Sequence, residues 1–163
     1  MVVERSDNKP TGRKEYKVLV AVDFSPYSAQ ALKMASSIMG RKPDQIMVLH
    51  VIDRNFVESC VNYQLGTEKD IKETLFFQAK NKLKEFLRSE GMDGEFIEEL
   101  ICEGIPFLEI NKKAIETGAD MVIMGNRGHS GDMQTIFFGS TTERVLRFIS
   151  RPVLCVPMDE DRK

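Results

Sequence analysis

Between Met124 and Leu146 the chain reads MGNRGHSGDMQTIFFGSTTERVL, and Gly125, Gly128, Gly131 and Gly139 within it are four of the eleven glycines. Ser140, Thr141 and Thr142 follow the last of these at once. Glycine lets backbone amides come close to a ligand. Free N–H groups at a helix start, together with the helix dipole, favour an anion. Gly125 and Gly128 fit a tight turn with exposed amides, and Gly139, Ser140 and Thr141 stand at a predicted helix start. One reading of the segment is therefore a phosphate cradle. The other needs no ligand: Ser140 and Glu143 have the S-x-x-E spacing of a capping box, and the glycines then merely end a strand. The residues alone leave both open.

Other side chains are weighed in the same way. Arg127 is either a charged donor to phosphate or a solvated loop charge. His129 is the histidine nearest the glycines, but no partner in sequence activates it as a base. Asp23, at the end of an apolar run, either meets a ligand or caps the helix that starts near Ser25. His50, inside an apolar run, is predicted to be a packed, hydrogen-bonded core residue. No Ser-His-Asp set or carboxylate pair stands out. The chain has no GxxxxGK[ST], and its first strand runs into Asp23, Phe24 and Ser25 rather than GxGxxG, which argues against a Walker loop and a nicotinamide fold of the usual kind.

These residues need elements to position them. KVLVAVD gives a short apolar run, Val18 to Val22, of the kind found in strands buried on both faces. A helix follows, with Ser25 as N-cap, Pro26 at its first position and Gly40 as its stop. QIMVLHVI is a second strand. From Asp53 to about Lys69 the pattern lapses, which predicts a loop or irregular segment. Ile71, Leu75, Ala79 and Leu83 recur at helical spacing in a long helix from about Asp70 to Ser89. EFIEELIC is a third strand, a helix runs from Pro106 to Gly118, and DMVIMG is a fourth strand. A helix over Ser140 to Ser150 and the strand PVLCVP complete the alternation. Strands alternating with helices predict a mostly parallel sheet covered on both faces. In such a sheet ligands sit beyond the carboxyl ends of the strands, which singles out VDFS after the first strand and the glycine segment after the fourth.

Composition narrows the classes. With 163 residues the chain fits one core, and 42% apolar with 29% charged residues is a globular profile. A net charge of −2 predicts neither nucleic acid nor an anionic membrane as partner. Three scattered cysteines, Cys60, Cys102 and Cys155, form no CxxC pair, and with two histidines a zinc site is not expected. The polar opening lacks an apolar signal core; together with the cysteine usage this predicts a cytoplasmic protein. Residues 1–15 read as a disordered lead-in, 16–158 as the domain and 159–163 as a charged tail.

KVLVAVDFSPYSAQALKMA, VLHVID, EGIPFLEI, DMVIMGNRGHSG and GSTTERVLRFISRPVLCVP, taken in order, resemble the universal stress protein family from about Tyr16 to Pro157. The resemblance implies an α/β fold with a five-stranded parallel sheet in the order 3-2-1-4-5, helices on both faces, and a homodimer. The ATP-binding branch of that family is marked by Gly, two residues, Gly, nine residues, Gly, then Ser or Thr. Carried over, phosphates and ribose fall on Gly125, Gly128, Gly139, Ser140 and Thr141. Adenine contacts fall on Ala21, Val22, Asp23 and Val51, with Met124 beneath the loop; Arg127 and His129, weighed above from their types and positions, then stand nearest the phosphates. ATP is the implied cofactor, and Mg2+ or Mn2+ would arrive with the triphosphate rather than in a protein cage. This chain departs from the pattern once, with ten residues, HSGDMQTIFF, between Gly128 and Gly139. The expectation is thus an ATP-binding switch with at most slow hydrolysis, with a non-nucleotide dimeric interaction protein as the alternative. The sequence does not supply the protein partner.

Overall fold

A computed structural model describes residues 15–39, 45–92, 97–128 and 138–158. The lead-in up to residue 14, the helix stop at Gly40, His129, Gly131 and the tail 159–163 lie outside the described residues. The elements are β1 (Lys17–Ala21), α1 (Pro26–Ile38), β2 (Gln45–Asp53), α2 (Arg54–Asn62), α3 (Glu68–Ser89), β3 (Ile97–Gly104), α4 (Pro106–Glu116), β4 (Met121–Gly125), α5 (Ser140–Phe148) and β5 (Val153–Val156). The strands form one sheet in the order β3-β2-β1-β4-β5, and every neighbouring pair is parallel.

Because side chains alternate across a strand, the apolar runs feed two cores. Val18, Val20, Val48 and Ile123 face Leu32 and Ala35 of α1 and Leu83 and Leu87 of α3. Leu19, Met47, Leu49, Val122 and Met124 face Ile110 and Ala114 of α4 and Val145 of α5. Helices therefore cover both faces, as continuous apolar strands require. Ser25 caps α1 by accepting from the Ser28 amide at 3.2 Å, with Pro26 at the first helical position.

One stretch differs from the sequence reading. Residues 54–62, expected to be irregular, form α2, and Thr67 then caps α3 by accepting from the Asp70 amide. The helix offers only a short apolar stripe, Val57, Cys60 and Val61, of which Val57 alone is fully buried. Tertiary contact supplies what the pattern lacked: Val57 packs with Ile52, Ile71 and Ala79 in a small satellite core. No helix among the described residues is long and apolar enough to cross a membrane.

Candidate functional site

The strand order reverses at β1, whose neighbours are β2 and β4. Beyond the carboxyl ends of these strands lies a cavity of about 240 Å³. Ala21, Val22 and Asp23 reach it from the end of β1, and Val51 from β2. Met124 and Gly125 come from β4, Arg127 and Gly128 from the turn after it, and Gly139, Ser140 and Thr141 from the start of α5. Eleven of the twelve residues singled out from sequence thus line one cavity, and the twelfth, His129, lies outside the described residues. Leu49, Val51, Met124 and Ile110 make one part of the wall apolar, while glycine amides, hydroxyls and Arg127 make another part polar.

The two ends of the segment between β4 and α5 are tied together. The Gly139 amide donates to the Asn126 carbonyl at 2.9 Å, and the Asn126 amide donates to Val156 in β5 at 2.9 Å. The buried Thr142 hydroxyl donates to the Gly125 carbonyl at 3.0 Å. A Cβ built on Gly139 would stand 3.3 Å from the Arg127 Cα and 3.5 Å from the Gly128 nitrogen, so the two backbones abut. Gly128 and Gly139 therefore meet despite the ten residues between them. Loop closure is only weakly length-dependent, so one added residue costs little.

None of these three glycines has a positive φ; each is glycine for space. At Gly125 a Cβ would come within 2.7 Å of the Tyr27 Cβ and 2.9 Å of its carbonyl carbon, so glycine here lets β4 pass close to α1. At Gly128 a Cβ would fall on the Asp23 carboxylate.

Two helix-end assignments change. One of the two readings left open at Ser140 made it the cap of α5, as half of a capping box with Glu143. The N-cap is Gly139, with extended backbone (φ −64, ψ 160), and Ser140 is the first helical residue. Glu143 pairs instead with Arg147 at 3.0 Å. The leading N–H groups of a helix have no intrahelical partner, and here Ser140, Thr141 and Thr142 bring them to the cavity wall. Asp23 does not cap α1, a role held by Ser25. Its Oδ1 accepts from the Ser25 amide at 3.0 Å, which fixes the turn between β1 and α1. Arg127 is partly buried rather than a fully solvated loop charge.

That turn carries an unusual backbone, with Phe24 at φ 65. Its ring lies 4.3 Å from the His50 ring, meets Phe86 edge-on at 5.6 Å, and takes Lys82 Nζ at 4.7 Å. These contacts offset a left-handed conformation that costs roughly 1–3 kcal/mol. His50 Nδ1 lies 2.9 Å from the Val22 carbonyl, which can only accept, so this nitrogen carries the proton and His50 is a hydrogen-bonded packing residue as expected. Burial holds its pKa below the ordinary 6.5, against the opposing pull of the Val22 hydrogen bond and the Asp23 charge. The folded state thus binds fewer protons at His50 than the unfolded chain does. Its stabilising contribution is complete above the unfolded pKa of about 6.5 and is lost as pH falls below that value toward the lower folded pKa. Melting temperatures should fall between pH 7 and pH 5. His50→Gln, whose amide can donate to the same carbonyl, should flatten that part of the profile.

The cysteines sit apart from this chemistry. Burial, helped by the Glu109 charge, pushes the Cys102 thiol up to about 11, and burial raises Cys155 as well. Both remain thiols at neutral pH and pack as small apolar groups.

Sequence reasoning missed Asp53, Leu49, Ser28, Pro106, Ile110 and Thr142 in the cavity wall. Asp53 had a signal, because VLHVID ends in the same way as VLVAVD, an apolar run closing on aspartate ahead of a helix. Pro106 and Ile110 had none, since only the tertiary fold swings the start of α4 over β2.

The profile of the universal stress protein family matches residues 16–157. The chain belongs to the universal stress protein family. Universal stress protein MJ0577 of Methanocaldococcus jannaschii is 32% identical over 152 residues, covering 86% of this chain and 93% of that protein. The MJ0577 structure superposes with a TM-score of 0.76 over 90% of this chain and 98% of that one, again at 32% identity. A universal stress protein from Archaeoglobus fulgidus in complex with dAMP shares the fold at 21% identity and TM-score 0.59, over 88% of this chain and 98% of that one. A universal stress protein in complex with cAMP shares it at 22% identity and TM-score 0.54, over 86% and 95% of the two chains.

Proposed function

We propose that this universal stress protein binds ATP in the cavity beyond β1 and β4 and acts as a nucleotide-responsive switch in stress response. The convergence of the glycine segment with the ends of β1 and β2 on one cavity carries this reading. Adenine would lie against Val22, Val51 and Met124. The phosphates would take the amides of Gly128, Gly139, Ser140 and Thr141, with Arg127 as the cation. Helix dipole, unpaired leading amides and guanidinium all act in the same sense on an anion. That two proteins of this fold have been described with dAMP and cAMP supports an adenine nucleotide as ligand. The segment holding the phosphates is not a Walker loop, and the sequence supplies no dedicated base, so any hydrolysis is slow. A divalent ion would come with the triphosphate.

The test is a thermal melt with and without ATP and magnesium. Ligand at about 100 times its dissociation constant adds roughly 2.7 kcal/mol to stability. No shift at millimolar ATP would transfer the chain to a second reading, a dimeric interaction protein without nucleotide, which the ten-residue interval between Gly128 and Gly139 favours.

The switch reading includes a homodimer through β5, the apolar strand at one edge of the sheet. Val122 N donates to Pro152 O, and Asn126 N to Val156 O, so even-numbered residues of this stretch face β4. Val153 and Cys155 then turn their N–H and C=O groups to the open edge. Sedimentation should give twice the monomer mass, and Cys155→Pro, which removes an outward amide while sparing the inner ladder, should yield monomers. A monomeric native chain at micromolar concentration would exclude the dimer.

A further inference from the structure

Asp53 ends β2 and Asp23 stands two residues beyond the adjacent parallel strand β1; both line the same cavity and use their Oδ1 atoms alike. Asp23 Oδ1 accepts from the Ser25 amide at 3.0 Å, and Asp53 Oδ1 accepts from the Asn55 amide at 2.9 Å. The consequences differ because the helices that follow are held differently. α1 has its own cap in Ser25 and buries Ser28, Ala31, Leu32 and Ala35. α2 has Asp53 as its cap, buries only Val57, and has no acidic residue in its first turn. Its first residue is instead Arg54, a cation at the positive end of the helix dipole, 3.8 Å from Glu103. A nine-residue helix with one fully buried side chain and two half-buried ones, Cys60 and Val61, leans on its cap, since short helices are marginal without tertiary support.

The geometry points to Asp53 as the residue through which an occupied cavity orders α2: a ligand hydroxyl donating to Oδ2 fixes the carboxylate in the orientation whose Oδ1 caps the helix. The inference rests on the nucleotide reading above, with the ribose hydroxyls as the donors. A partly exposed aspartate samples several rotamers, and a second hydrogen bond across the carboxylate removes those that leave Asn55 uncapped. α1 gains less from the equivalent contact at Asp23, which holds the amide of the cap residue Ser25 but is not itself the cap, and whose helix is anchored by four buried residues. Occupancy is thus converted into order at one helix rather than spread over the whole fold. By linkage, whatever order ATP confers on α2 returns as ATP affinity.

Amide hydrogen exchange on the full chain, with binding titrated in the same samples, tests this. Saturating ATP should slow exchange across Asn55 to Val61 by on the order of tenfold, a typical coupling between linked sites, and should change the α1 amides much less. 2′,3′-Dideoxy-ATP should bind without slowing α2. Asp53→Ser keeps a good capping oxygen but has no second oxygen to receive a ligand hydroxyl. Its α2 should exchange like the native protein without ligand and should gain no protection when ATP binds. Bound ATP without protection of α2, protection by the dideoxy nucleotide equal to that by ATP, or full protection in Asp53→Ser would each overturn the inference while leaving the nucleotide reading in place. Absence of ATP binding in the titration would overturn both, and the titration distinguishes that case.

Discussion

Gly128→Ala should cost the protein about 10- to 100-fold in ATP affinity while leaving its fold almost as stable as before. The new Cβ falls on the Asp23 carboxylate, the movable end of a side chain, so folding accommodates it by turning Asp23 aside. Gly128 has no positive φ, and alanine meets no backbone strain there. The expected change in stability is within about 1 kcal/mol. Binding is another matter, because Asp23 is displaced within the cavity and a methyl group covers an amide that the phosphates are proposed to use. Hydrogen bonds involving charged groups contribute roughly 1.5–3 kcal/mol each, which sets the expected loss. Titration calorimetry against circular dichroism separates the two quantities. Unchanged affinity in a folded Gly128→Ala protein would mean that this glycine serves only the turn.

Gly125→Ala should show the reverse signature. Its Cβ would meet the Tyr27 Cβ at 2.7 Å, the Tyr27 carbonyl carbon at 2.9 Å and the Arg127 carbonyl oxygen at 3.0 Å. Two of these are backbone atoms, and none is the free end of a side chain. Relief requires α1 to move off β4, where the first core is packed around Leu32, Ala35 and Ile123. Overpacking of this kind typically costs about 1–3 kcal/mol, and at about 2–4 °C per kcal/mol for a chain of this size the melting temperature should fall visibly. A Gly125→Ala protein that melts like the native one would show that α1 and β4 have room that the structure denies them. Two glycines three residues apart thus answer to different demands, one to the packing of a helix on a strand and the other to the cavity.

That division was not legible in the sequence, where both glycines belong to one pattern. What could be read were features repeated locally along the chain. Runs such as Val18 to Val22 are apolar on both faces because helices cover both sides of the sheet, and that alone argued for parallel strands. The order of those strands came from the family resemblance, since no apolar run encodes its neighbours. α2 escaped notice because its stripe is one turn long, Val57, Cys60 and Val61, and only Val57 is fully buried. The capping alternative at Ser140 is off by one residue: Gly139 has the extended backbone a cap requires, and Glu143, which completes the motif on paper, pairs with Arg147. Of the cavity wall, most residues at strand ends and in the glycine segment were found, because their position in the chain fixes their position in the fold, while Asp53 at the end of β2 was passed over. Ile110 and Thr142 were not, since the first enters from the middle of α4 and the second reads as one more polar residue in a helix turn. Thr142 is buried, and its hydroxyl holds the Gly125 carbonyl, a tie that only the folded chain displays.

The central claim is that the cavity between β1, β2 and the start of α5 takes an adenine nucleotide. Calorimetric titration of nucleotide-free protein with ATP and magnesium tests it most directly, with GTP and the Gly128→Ala protein titrated alongside. The account predicts saturable binding of one ATP per chain, weaker binding of GTP, and a loss of about 10- to 100-fold in the variant, the range set by one charged hydrogen bond. An absence of saturable binding at millimolar ATP, or ATP binding that Gly128→Ala leaves untouched, would contradict it.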